Sequence, residues 1–309
     1  MKNWFFAGLL LSATAGFAMP IASSARSMMP SDIQQLIGVD YRALKDSPTA
    51  QALKQQVLPD NLKQFEASLK GIGIDEDHDL DQLNFISFRT EKKGIQTIGV
   101  AQGSFSAKAV LKKLKAQKIV GTKYGTSVVY PMDNGFVMTF LDDNTLAFGD
   151  SASLHSALDT RDGKRASMDS NSTMTDQMSA VDGAPLWSIL DQKGTQAMMS
   201  SVMGDAAKIG DYDTVKKRIL ASRYTMTFQN GVNFDLTVVT ADSMTAATIS
   251  TVVKGVILYK KMNASAVEKT AIDATSVDSD SANVQVHFKT DDQKFQSLLH
   301  APLFAAVSH

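Results

Sequence analysis

The chain has 309 residues, 44% of them apolar and 20% charged, proportions that exclude an intrinsically disordered protein. Its 31 basic residues stand against 32 acidic ones, a net charge of −1, so the surface has no electrostatic reason to seek nucleic acid or anionic lipid. With no cysteine there is no disulfide, thiolate nucleophile, Cys-held metal centre or lipidated cysteine, and the fold must hold by apolar burial.

At the N-terminus Lys2 precedes Trp4, Phe5 and Phe6, and small apolar residues continue to Ala18. That is the charged and hydrophobic pattern of a Sec signal peptide, predicted over residues 1–25. Small residues at Gly16 and Ala18, or at Ser23 and Ala25, mark two cleavage points. The apolar run is shorter than the ~20 residues a bilayer span needs, and the tail from Ala301 to Val307 is shorter still. A periplasmic or extracellular protein with no integral membrane segment after cleavage is expected, of 309 − 25 = 284 residues. That is room for two domains.

Ser31 to Lys70 reads as a helical stretch leading into an acidic cluster, Asp75, Glu76, Asp77, His78, Asp79 and Asp81. Asp75, Asp77, His78, Asp79 and Asp81 are the weak candidates for a metal site. Counted from Asp75, however, the sixth residue is Leu80 rather than Gly and the twelfth is Ile86 rather than Glu, so the EF-hand pattern fails. No metal and no cofactor is expected. Next, Ile86 and Phe88 alternate into a turn at Glu91 to Gly94, and Ile98 and Val100 alternate out of it, a β-hairpin. Ser106 caps a predicted helix with Ala107, Val110, Leu111 and Leu114 on one face. Lys112, Lys113, Lys115 and Lys118 are then its solvated flank rather than a nucleic-acid patch.

Extra strands fall around Ile119 to Tyr130. A second hairpin follows, from Phe136, Met138 and Phe140 through Asp142 to Asn144 and out along Leu146 and Phe148. Asp150 caps a helix bearing Leu154 and Leu158. On it Ser151 and His155 stand four residues apart, on one face, a hydrolase pair only if a third group orients the imidazole. No G-x-S-x-G, H-E-x-x-H or S-x-x-K set accompanies them, and no catalytic residue is assigned.

A segment rich in Ser, Asp, Thr and Gly, 164–184, reads as a linker between a first unit, 26–163, and a second, 185–309. Pro185 to Leu220 reads as the second helical lead, with Trp187 as its core anchor. Met174 and Met178, with Met198, Met199 and Met203, suit core filling better than copper ligation. Tyr224, Met226 and Phe228 run into Asn230-Gly231, and Val232, Phe234, Leu236 and Val238 keep strict alternation, a hairpin again. Asp242 caps a long helix bearing Ile249, Val252, Val253 and Val256. A last hairpin through Asp278 to Asp280 leads to Val284, Val286 and Phe288, and a last helix carries Phe295, Leu298 and Leu299. His287 is expected at the surface.

Hairpin, helix, hairpin, helix thus occurs twice, with Phe148 and Phe288, and Leu158 and Leu298, both 140 residues apart. The fold expected is α+β, a duplicated ββαββα unit of antiparallel sheets with helices packed on one face, each copy preceded by a helical segment. The sequence leaves open whether the sheets are separate or continuous, and it resembles no named family. The function expected is that of a non-enzymatic binding or interaction protein for an unknown protein or small-molecule ligand, with its surface where the units meet. The alternatives are a periplasmic carrier of an apolar small molecule or lipid, and a hydrolase using Ser151 and His155.

Overall fold

The structure, a computed structural model, describes residues 20–57, 60–90, 94–203 and 215–301. The first half begins with α1 (Ser23–Arg26), β1 (Ile33–Asp40), α2 (Tyr41–Leu44), α3 (Pro48–Val57), α4 (Asp60–Ile72) and α5 (Glu76–Asp79). It continues with the hairpin β2 (Leu80–Thr90) and β3 (Gly94–Gly103), then α6 (Ala107–Ala116), β4 (Thr122–Tyr124) and β5 (Ser127–Pro131). It closes on β6 (Val137–Asp142), β7 (Thr145–Gly149) and α7 (Ser151–Arg161). After α8 (Ser172–Ser179), the second half runs β8 (Leu186–Asp191), α9 (Gln192–Met203), β9 (Ile219–Thr227), β10 (Val232–Thr240) and α10 (Ser243–Met262). The last elements are α11 (Ala266–Asp273), β11 (Thr275–Asp280), β12 (Asn283–Thr290) and α12 (Asp292–Leu299).

All twelve strands form one sheet in the order β11-β12-β10-β9-β8-β1-β2-β3-β7-β6-β5-β4, and every pairing is antiparallel. The question of two sheets or one is answered by β1 and β8, which pair from Gln35–Leu190 to Val39–Leu186 at the centre. Outward from that pair the strand order is alike on both sides, β1-β2-β3-β7-β6 against β8-β9-β10-β12-β11.

Two expectations need correction. Strands, not helices, lead each half: Leu36, Ile37 and Val39, and Leu186 to Leu190, are short apolar runs that fit a buried strand as well as a helix. The helices α3, α4 and α9 come after those strands, and Trp187 lies on β8. Nor are helices confined to one face. One face of the sheet carries α4 and α6 over Leu83, Phe85 and Phe148, and further along carries α9, α10 and α12 over Val238, Val284 and Val232. The opposite face carries α1, α7 and α8 over Ile86, Phe88, Ile98 and Trp187. Helix α7 crosses to that face because Leu154, Ala157 and Leu158 find Val100 and Ala147 there.

Local chemistry explains the ends of the elements. Ser106, Asp150, Asp242 and Asp291 each accept the backbone N–H that opens a helix, as expected of N-caps. Asn230 and Gly231 have φ of 58° and 93°, the left-handed pair a tight hairpin turn requires. At the central junction Gly38 on β1 lies under the Trp187 indole, and a Cβ there would fall 2.4 Å from Cε2. The Arg89 guanidinium on β2 also pairs with Asp191 at the end of β8. The segment between the halves is built into the core, with Met168, Met174 and Met178 buried against Ile33 and Trp187.

Candidate functional site

The acidic cluster forms the short helix α5 and its flanks. Asp75 accepts the Asp77 N–H at 3.0 Å and pairs with His78 Nδ1 at 3.2 Å, while Asp79 Oδ2 accepts the Asp75 N–H at 2.8 Å. The His78 hydrogen bond, with help from the Asp77 N–H, holds the Asp75 carboxyl below the usual carboxylate range. Asp81 is turned to Arg42. These carboxylates close a turn, and no group of three potential ligands converges among the described residues.

Ser151 is exposed at the first turn of α7, where the cap is supplied by Asp150. His155 lies flat against Tyr124, ring centroids 3.8 Å apart and planes 2° apart. The carboxylate nearby, Asp159, accepts the Tyr124 hydroxyl at 3.0 Å and the Lys164 ammonium at 2.8 Å. Burial, and then the Asp159 hydrogen bond, push the Tyr124 phenol above its ordinary range. The arrangement fastens the β4–β5 flap to α7 and supplies the imidazole with a stacking partner rather than an orienting acid.

The methionines fill space. Met174 and Met178 belong to the core under Trp187, and Met199 is buried beside Ile219 and Ile249; the Met203 side chain lies outside the described residues. His287 is at the surface, 2.5 Å from Asp235.

Two open depressions are found among the described residues. One, of about 440 Å³, lies where the halves meet beyond the sheet, between Ser47, Pro48 and Thr49 of the first and Phe228, Asp292 and Gln296 of the second. Buried Thr49 donates to Asp292 at 2.6 Å and accepts from Gln296 at 3.3 Å, so the polar groups of this floor already bind each other. The other, of about 420 Å³, is bounded by Gly73, Ser104, Phe105 and Lys113. Both are open and mixed in polarity, not apolar chambers.

The surface that sequence reasoning passed over is the outward side of α10. Its inner side is buried through Ala246, Ile249 and Val256, as the periodicity predicts. Yet Met244, Leu258, Tyr259 and Met262 are 79%, 65%, 60% and 77% exposed. Between them stand Ala247, Thr248, Thr251 and Gly255, all exposed, and a Cβ on Gly255 would meet nothing within 4 Å. Lys254 is the one charge among these exposed positions, with Lys260 and Lys261 half-buried beside the C-terminal end. The signal was available: positions 244, 248, 251, 255, 258 and 262 keep a helical spacing of their own, opposite the buried one.

Comparison with protein-family models finds no match, and neither does comparison with curated proteins. Solved structures do resemble the chain. Crystal form III of TP0453 aligns with a TM-score of 0.52 at 8% identity, covering 89% of this chain and 96% of that one. Crystal form I gives 0.49 at 7% identity, covering 89% and 95%. At such identity the likeness to form III is one of fold alone: a mixed α+β architecture with a large antiparallel sheet. No helix among the described residues is long and apolar enough to cross a membrane.

Proposed function

We propose that this is an exported, non-enzymatic interaction protein that holds a partner polypeptide along the outward face of α10. One observation carries the reading: an exposed face from Met244 to Met262 whose only charge is Lys254, on a chain whose surface is otherwise studded with ion pairs. At 1.5 Å per residue that face is roughly 27 Å long. Water against this much apolar helix is unfavourable, and covering it releases free energy in proportion to the area covered.

The occupant that fits is a protein segment, apolar along its contact and acidic at its rim, because Lys254, Lys260 and Lys261 are the cations that border the face. The export reading is supported by Lys2 and the apolar run after it, and places the protein in the periplasm or outside the cell. The division into units 26–163 and 185–309 is read as an old duplication, supported by the like strand order on both sides of β1 and β8.

A photo-crosslinking residue at Leu258, with a control at Asp235 on the polar side of the sheet, tests the binding surface in the native host. A discrete protein adduct from position 258 alone is expected. A lipid adduct, or none, refutes the assignment.

A further inference from the structure

We propose that Arg223 on β9 anchors an anion site, which takes a carboxylate or phosphate group of a small polar ligand on the side of the sheet facing away from α10. The site is separate from the α10 face and does not depend on it. The chain has seven arginines, and Arg26, Arg42, Arg89, Arg161, Arg165 and Arg218 each meet an aspartate. Arg223 meets none among the described residues. Its one hydrogen bond there runs from Nη1 to Oε1 of Gln177, a neutral amide buried on α8. The carboxylates diagonal to it on the neighbouring strands are engaged elsewhere. On β8, Asp191 lies two residues beyond the Ile189 that pairs with Arg223, and is held by Arg89. On β10, Asp235 lies two residues before the Thr237 that pairs with Arg223, and is held by His287.

Arg223 is half-buried, and burial holds its ionisation below the ordinary range with no charged neighbour to offset it. A cation taken partly out of water is stabilised by a counter-charge and by acceptors for its N–H groups. Because Gln177 takes Nη1, the Nε and Nη2 donors are left as a side-on fork, whose spacing matches two oxygens of a carboxylate or phosphate. Thr237, opposite on β10, and Thr225, two residues along β9, stand on the same face with hydroxyls that can donate to such an oxygen. Around them Asn233, Asp235, Gln285, His287 and Lys289 share that face. No apolar side chain stands among these to form the dry centre of a protein interface, so the occupant is a hydrated small molecule rather than a polypeptide. Asp235, and Asp278 further along the face on β11, repel further negative charge, so a single anionic group fits better than a polyanion.

Magnetic-resonance signals of the arginine Nε–H groups in isotope-labelled protein read this site. Acetate or inorganic phosphate, added at constant ionic strength, should move the Arg223 signal along a saturating curve while those of the six paired arginines stay near their starting positions. Whichever anion saturates at the lower concentration names the group. Arg223→Lys keeps the charge and loses the fork, and should weaken binding about tenfold, followed on the Thr225 and Thr237 amides. An Arg223 signal that shifts no more than the others, or without saturating, overturns the proposal. So does an Arg223→Lys variant that binds as well as the wild type. A third refuting result is an Arg223 signal that Asp235→Asn, with no anion present, displaces as far as saturating anion does, since Asp235 would then be the partner the guanidinium already has.

Discussion

Replacing Gly38 by alanine tests how the two halves are joined. The position has an ordinary extended backbone, outside the left-handed region, so alanine is conformationally acceptable there. By the entropy of the unfolded chain alone the change should stabilise by about 0.4–1 kcal/mol. The Trp187 ring reverses that sign, because the new methyl group would lie 2.4 Å from Cε2 and 2.5 Å from Nε1 of an indole that is itself 1% exposed. Overpacking of this kind costs about 1–3 kcal/mol, and for a chain of this size each kcal/mol moves the melting midpoint by roughly 2–4 °C. A fall of roughly 2–12 °C is expected for Gly38→Ala, read by far-ultraviolet circular dichroism so that the tryptophan itself can be varied. In a Trp187→Leu background, destabilised on its own account by the lost ring, the added methyl group should cost nothing or stabilise. Gly38→Ala costing the same in both backgrounds, or nothing in either, would refute the contact and with it this account of the β1–β8 junction.

Three further outcomes follow from the same geometry. The Tyr124 phenol is held neutral by burial and by Asp159, so spectrophotometric titration should find it ionising above the ordinary value of about 10, and Asp159→Asn should bring it down. Asp242 is held below the carboxylate range chiefly by the Thr245 N–H, so its contribution to stability is present above the unfolded value of about 4 and is lost as pH falls through the lower folded value. Asp242→Asn keeps a capping oxygen without the charge, and should lose less stability than the wild type between neutral and acid pH in urea melts. Millimolar calcium should leave the thermal midpoint unchanged, since Asp75 and Asp79 already accept backbone N–H groups; a saturable upward shift would contradict that assignment.

Alternation and capping carried the sequence reading wherever an element is decided locally. The caps at Ser106, Asp150 and Asp242 and the hairpin turn at Asn230-Gly231 rest on a few adjacent residues, and each is where the pattern puts it. The leading strands were not legible, because Leu186 to Leu190 is an apolar run with too few residues to show a period, and it is pairing with β9 and with β1, about 150 residues away, that makes it a strand. The side of the sheet a helix takes was equally hidden. Helices α7 and α12 both follow the second hairpin of a half, with Phe148 and Phe288 alike on the face that carries α6 and α10. Yet α7 packs on the opposite face and α12 does not, since Ala147 and Val100 offer α7 a buried apolar bed and the corresponding side of β12 offers Gln285 and His287. Polar residues on β10 and β12 therefore leave that face of these two strands open to water, while α8 covers it over β8, and this asymmetry follows from composition strand by strand.

The candidate surface was legible as a second stripe on the helix but not as an uncovered one. A helix that is apolar on one side announces its buried face, but α10 is weakly apolar on both, and which side stays uncovered depends on what packs nearby. Its inner side is claimed by β10, β11 and β12 through Val238, Val277 and Val284. On the outer side the helix α11, which could have turned back over it, is committed instead to the β11 end: Glu268 closes a capping box with Ser265, and Lys261 pairs with Asp273. That leaves Met244, Leu258 and Met262 in water, and Gly255, which costs a helix interior about 1 kcal/mol relative to alanine, with no neighbour to explain it. Gly255→Ala therefore separates the two uses of this helix. If the face serves no partner, the substitution should raise stability by up to about 1 kcal/mol and do nothing else. If a partner backbone approaches there, the same variant should be more stable yet yield less crosslinked adduct from position 258. An undiminished adduct would mean that the partner does not contact the middle of the helix.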